Sequence, residues 1–357
     1  MNLLSGLEKA GHNFSIPLLC GWLFASCLTP VDIRTEQIGN KLVVSGQISS
    51  IEDQNIIQLG RTATTERLPV PLSGGSITLF DDLGNTYSYK EDLSTPGTYI
   101  LTGGPGIPGR TYHIQIVLST AEVYESKPEK MADTAGNIST HYEIAREEFT
   151  DAEGTVSTQP FAKIYANAGL LANHYFKWHV EEVYLLSPTD FPDPFGTTPP
   201  PCFIIQNADP QRITLYNGTE LSASSIHNLL VASRIMDYSF WERHYFTTYQ
   251  SSLTKAAFEY WDKINILANQ TGSIFDTPPA QIKGNIFNVN DPSETVFGYF
   301  QAVNQTFDRF YMLNSDLPFP LLWSTCTFDN RDYLLYPQRC LACLSVRNSS
   351  YNRPNWF

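Results

Sequence analysis

Three sets of residues in this chain have types and spacings that could do chemistry. The first is in YFKWHVEEVY, where His179 and Glu181 stand two apart. Residues two apart on a strand point the same way, so with a third ligand this pair could hold a metal. His174, five positions before His179, falls on the opposite face and cannot chelate with it. Glu181 and Glu182 are likewise split across two faces and make no catalytic carboxylate pair. The two-residue period predicts a solvent-facing polar side for His179 and Glu181.

The second set is Asn288, Asn290, Asp291 and Glu294, oxygen donors close together in sequence. Calcium takes about six to eight oxygens, and the alternating Asp pattern and central Gly of an EF-hand are missing. An Asn/Asp/Pro turn is expected instead. Gly103-Gly104-Pro105-Gly106 lacks the Lys-Ser/Thr of a phosphate loop. Neither Gly-x-Ser-x-Gly nor His-Glu-x-x-His occurs. No metal, no cofactor and no catalytic residue is expected from these patterns.

The third set is aromatic: Trp178, Tyr238, Trp241, Tyr245 and Tyr249. They could form a stacking platform for a glycan or peptide. The favoured reading is sheet core with cross-strand pairs, because aromatics dominate sheet interiors.

The elements that position these residues are mostly strands. KLVVSGQIS (41–49) and NIIQLGRTA (55–63) are rich in β-branched residues, and Ile77, Leu79, Tyr87 and Tyr89 flank a turn at Leu83-Gly84-Asn85. YHIQIVL (112–118) alternates cleanly. Short strands spaced by turns predict a β-sandwich over 41–125. Residues 126–139 read as a linker into a larger β-rich domain, 126–357. There HYEIAREEFT, FAKIYANAG, HYFKWHVEEVYLL, DYSFWERHYFTTYQ, IKGNIFNV and TVFGYFQAVNQTF are strand candidates. The Pro-rich 190–202 is a loop. One main helix is expected near 252–270, with Leu253, Ala257, Tyr260, Trp261, Ile264, Leu267 and Ala268 on one face and Ser252 as N-cap. The fold class is therefore mainly β with minor α.

Charge narrows the partners. With 23 basic against 36 acidic residues the net charge is −13 and no basic block exists, which argues against nucleic acid. FSIPLLCGWLFAS (14–26) reads as the apolar core of a signal peptide over 1–26. Phe24-Ala25-Ser26-Cys27 has the shape of a bacterial lipobox. Cys27 is the expected lipidation site, with palmitate-type acyl chains tethering the chain to a membrane through a polar stretch, 27–40. Cys20 lies inside the apolar core and is a poor alternative. The Asn-x-Ser/Thr sequons at Asn13, Asn137, Asn217, Asn269, Asn304 and Asn348 are read as chance in an Asn- and Ser/Thr-rich chain.

Export would place Cys202, Cys326, Cys340 and Cys343 where disulfides persist. A zinc ribbon normally needs two close Cys-x-x-Cys pairs and only Cys340/Cys343 is one. Disulfide staples are expected, with one tail cysteine reaching Cys202 and the other Cys326.

SGQISS, GGSITLFDDLGNTY and PGTYIL, followed by YFKWHVEEVY, DYSFWERHYF, SSLTKAAFEYWDKI, GSIFDTPPAQIKGNI and ETVFGYFQAV, resemble in order a Bacteroidota lipoprotein family known as domain of unknown function 4249. The tail CLAC…RPNWF completes the resemblance, although Ser349-Ser350-Tyr351 stands where a Gly-rich link is usual. The resemblance implies an N-terminal sandwich of immunoglobulin or transthyretin-like type. It implies an outer-membrane lipoprotein of the cell envelope, encoded beside TonB-dependent receptors, and it assigns no activity; the expected placement is on the cell surface. The expected role is non-enzymatic: ligand capture or scaffolding beside a TonB-dependent transporter. The rival readings are a surface hydrolase acting on peptide or glycan, and a purely structural envelope protein.

Overall fold

Alternating apolar residues turn most of the chain into strands, as a half-buried sheet requires. The computed structural model describes residues 40–63, 69–151, 153–169, 174–186, 200–219, 225–269, 282–321 and 343–357. Cys20, Cys27, Cys326 and Cys340, Asn13 and the loop at 190–199 lie outside the described residues. The described part belongs to one unit, Ile38–Phe357, and it is mainly β with a single α-helix.

In chain order the first strands are β1 (Leu42–Ser49), β2 (Ile56–Arg61), β3 (Val70–Pro71), β4 (Ser76–Asp81), β5 (Thr86–Glu91), β6 (Thr98–Thr102), β7 (Thr111–Val117), β8 (Val123–Ser126) and β9 (Glu129–Lys130). Then come β10 (Ile138–Thr150), β11 (Val156–Gly169), β12 (Tyr175–Leu186), β13 (Cys202–Asn207), β14 (Thr214–Asn217), β15 (Ser225–Ile235) and β16 (His244–Leu253). The helix α1 (Lys255–Asn269) precedes β17 (Ile286–Asn288), β18 (Phe297–Met312) and β19 (Ser349–Ser350).

A hydrogen-bonded path runs β8-β7-β4-β5-β6-β2-β1, continues through β18-β16-β12-β13 and ends at β19, while β17 pairs with β8 at the other edge. The hairpin read from the sequence is present, with Ile77 opposite Tyr89 and Leu79 opposite Tyr87. Ile48, Ile57, Leu79, Tyr99, Ile114 and Ile116 share one core under these early strands.

The path crosses from early to late strands where β1 runs parallel to β18, Ser45 facing Tyr299 and Gln47 facing Gln301. Gly298 makes this junction possible. Its φ is +94° and a Cβ there would lie 1.8 Å from the Val44 carbonyl oxygen, so only glycine fits.

Residues 126–139 are not a free linker. They contain β9 and fully buried Met131. Gln250 Nε2 donates to the Ala135 carbonyl at 2.6 Å, and Asn304 Nδ2 donates to that of Ala132 at 3.1 Å. Glu129 is buried and accepts from Thr254 Oγ1 at 2.6 Å and from the Tyr299 hydroxyl. The segment reads as polar because its polar groups are paired inside, which composition does not reveal. Asn304, a sequon residue, is itself buried in β18.

DYSFWERHYFTTYQ is also not one strand. Asp237 accepts from the Ser239 N–H and caps a 3-10 turn at Tyr238–Phe240 before β16 begins. The helix starts later than its apolar pattern predicts: Thr254 Oγ1, and not Ser252, accepts the Ala257 N–H at 3.1 Å. Ser252 belongs to β16, which carries on past the first residue of the expected helix.

β10, β11 and β15 form a separate three-stranded sheet. It packs on the even-numbered side chains of β12 and β16: Phe176, Trp178, Val180 and Phe246 meet Ala162, Ile164 and Val231.

Cys343 is disulfide-bonded to Cys202, Cα–Cα 5.9 Å, which bears out the expected link from the tail to Cys202. From this anchor β19 pairs with the β13 edge, and Phe357 then packs on Phe203 and Tyr245.

Candidate functional site

The odd-numbered side chains of β12, β16 and β18 make the other face of the late sheet. Strand alternation puts Lys177, His179 and Glu181 in a row there, all half-buried. The expected solvent-facing polar side is therefore a covered one. His179 stacks on Tyr249 with centroids 5.3 Å apart, and the ammonium of Lys177 sits 3.7 Å from the ring centroid of Trp261 on α1.

Polar contacts link these residues to the early strands. Trp261 Nε1 donates to Gln301 Oε1 at 2.9 Å, and Gln301 Nε2 donates to Gln47 Oε1 at 2.9 Å. Gln47 Nε2 donates to the Gln54 carbonyl at 3.0 Å, and Gln54 Nε2 donates to the Tyr249 hydroxyl at 3.1 Å. The chain of contacts half-encircles a cavity of about 230 Å³, lined by Ser45, Gly46, Gln47, Gln54, Ile56, Gln58, Lys177, Trp261, Tyr299 and Gln301. Gly46 lets β1 pack closely on β2 at this point. A Cβ there would lie 2.6 Å from Ile57 Cγ1 and 2.7 Å from Ile57 Cα.

The electrostatics follow from burial. Burial lowers Lys177 to about 8, and no carboxylate among the described residues forms an ion pair with it. Burial, helped by Lys177, lowers His179 to about 4, so its ring is neutral at pH 7. Burial raises Glu181 to about 7, against the pull of Arg309 and a hydrogen bond with Tyr249. Perturbed groups beside a cavity mark candidate sites. The set could seat an anion on Lys177 or move a proton at Glu181.

The five aromatic candidates do not form one platform. Trp178 is in the core on the even face, and its Nε1 donates to Gln250 Oε1 at 2.9 Å. Tyr249 is on the odd face beside the cavity. Tyr245 is on that face too, under Trp356 and Phe357. Tyr238 packs near the disulfide, and Trp241 is exposed.

The other candidates fall apart as the sequence indicates. Glu182 points away from Glu181 into the core, where it accepts from Arg234 Nε at 2.8 Å and from Gln206 Nε2 at 2.6 Å, with His244 Nε2 at 3.0 Å. Glu182 and His244 are fully buried in this network, and Arg234 and Gln206 are partly buried. Asn288 Oδ1 accepts the N–H groups of Asn290 and Asp291, and Nδ2 donates to Glu294 at 2.6 Å, which is the Asx turn expected. Among the described residues no group of three His, Cys, Asp or Glu is placed to hold a metal, and no helix is long and apolar enough to cross a membrane.

Lys177, Trp261, Gln47, Gln54 and Gln301 were not singled out by sequence. Lys177 left one signal: a cation among aromatics, in the same parity as His179 and Glu181. Trp261 was concealed by its place on the apolar helix face. The glutamines left no signal.

No match is found among curated proteins. The model of one family, described as Domain of unknown function (DUF4249), matches residues 28–309. The matched stretch contains every residue of the cavity, and the chain belongs to that family.

Proposed function

We propose that this chain is a non-enzymatic ligand-capture protein, held on the outer face of a bacterial outer membrane by a lipid on Cys27 and working beside a TonB-dependent transporter. The observation that carries capture is the cavity at the β1–β18 junction. Among the described residues it is lined mainly by neutral hydrogen-bonding side chains, with Lys177 as a cation and Ile56, Trp261 and Tyr299 as apolar and aromatic wall, so a polar ligand finds a concave site with several polar groups converging on it. The lipobox shape at Phe24–Cys27 supports the anchor, and the collinear family motifs support the transporter partner. The test is purification from membranes in mild detergent. Co-purification of a β-barrel receptor, and loss of the membrane fraction in Cys27→Ala, are expected. A clean, single protein that partitions unchanged in Cys27→Ala counts against this reading.

One observation favours the rival hydrolase: Glu181, on the same face of β12 as the cavity-lining Lys177, is raised to about 7, where a general acid or base is most effective. Turnover in a panel of peptides and glycans, abolished by Glu181→Gln, would establish the rival.

A further inference from the structure

The charge pattern inside the cavity selects among ligands. Among the described residues Lys177 is the one cation of its lining, and its ammonium rests on the Trp261 ring, not on an acid. A half-buried ammonium without a carboxylate gains from an anion that supplies one. The remaining polar groups are neutral. Ser45 and Gln58 stand exposed at the rim, and neither side chain hydrogen-bonds within the described residues, so both are open to hydroxyl or amide groups. The inner amides of Gln47 and Gln301 are already committed to each other and to Trp261.

Size and charge exclude larger anions. The volume, about 230 Å³, is below the roughly 300–1,000 Å³ of pockets that take drug-sized molecules. A phosphate ester carries up to two charges and is usually held by a forked Arg, several N–H groups or a helix N-terminus. Among the described residues neither an Arg nor the first turn of α1 lines the cavity. One ammonium matches one carboxylate.

We propose that the cavity binds a small monocarboxylate of monosaccharide or amino-acid size, its carboxylate on Lys177 and its hydroxyl or amide groups on Ser45 and Gln58. The inference rests on reading the cavity as a capture site. The carboxylate could belong to an acidic sugar or to a peptide terminus, and both present the same group to Lys177.

Calorimetry on the full chain separates these sources, with glucuronate, the dipeptide Ala-Ala, glucose and inorganic phosphate as probes. Binding of glucuronate or Ala-Ala is expected, with glucose and phosphate much weaker. Lys177→Met should weaken the bound carboxylate by about ten- to a hundredfold, the range for a hydrogen bond to a charged group. Lys177→Arg should retain most of it. Unchanged melting temperatures in both variants show that the fold is kept. Equal binding of glucose and glucuronate, or unchanged affinity in Lys177→Met, overturns the carboxylate and leaves capture standing. No binding of either carboxylate also overturns it, whatever receptor co-purification shows.

Discussion

Glu181 and Glu182 are neighbours on one strand, and the two faces of the late sheet treat them in opposite ways. On the even face Glu182 is fully buried, yet His244 and Arg234 outweigh its burial and hold its carboxyl below the usual range. On the odd face Glu181 is less enclosed, yet burial dominates and raises it to about 7, because Arg309 and Tyr249 offset only part of the loss of water. Depth alone does not set the charge of an acid. The partners at that depth do. The even face has used its charges to close a core. The odd face keeps incompletely compensated groups beside a cavity, which is what a binding surface needs.

The sharpest way to break this contrast is on the even face. Arg234→Met leaves the buried Glu182 carboxylate with only His244 and the neutral Gln206 amide as partners, and should cost about 3–5 kcal/mol, as for other buried pairs that lose one partner. Urea unfolding measures it. A cost under about 1 kcal/mol would put the network in the class of exposed ion pairs, which contribute little.

The next effect concerns the cover of the odd face. Cys343→Ser opens a link between residues 141 apart in sequence, and disulfides are worth about 2–4 kcal/mol. The tail carries Trp356, whose ring lies 3.4 Å from the Arg309 guanidinium, and Phe357. Limited proteolysis should therefore release the tail first, while the core under Trp178 stays protected. Equal loss of protection on both faces would erase the distinction.

The smallest effect is the most diagnostic. In the folded state Glu181 titrates near 7, above its ordinary 4.5. The folded state thus favours the neutral acid, and its contribution is fully present below pH 4.5 and lost as pH rises through 7. Glu182 has the reverse sign, its contribution being present above 4.5 and lost as pH falls through its lowered value. His179, lowered to about 4, also removes stability as pH falls below its ordinary 6.5. Glu181→Gln removes only the first slope. Its melting temperature relative to the parent chain should rise between about pH 5 and about pH 8. A pH-independent difference would mean that Glu181 is ordinarily solvated.

Much of the strand content was legible because a two-residue period states which side chains share a face. That rule alone separated His174 from His179 and Glu181 from Glu182. It failed where pairing is non-local. Residues 126–139 have the composition of a linker, but Gln250, Asn304 and Thr254 reach them from over a hundred positions away. The aromatic candidates were chosen by abundance, and abundance cannot tell Trp178, committed to Gln250, from Tyr249 beside the cavity.

By itself the sequence determined many of the strands, the helix and the family, since these follow from local periodicity and collinear motifs, but it missed β9, β13, β14 and β15. It also pointed to a tail cysteine that reaches Cys202. Only the tertiary structure decided the site. Gln47, Lys177, Trp261 and Gln301 come from β1, β12, α1 and β18, and they meet because β1 docks parallel on β18 at Gly298. A contact between strands some 250 residues apart has no period to announce it. Whether the buried charge at each position is paired is likewise a property of what packs against it.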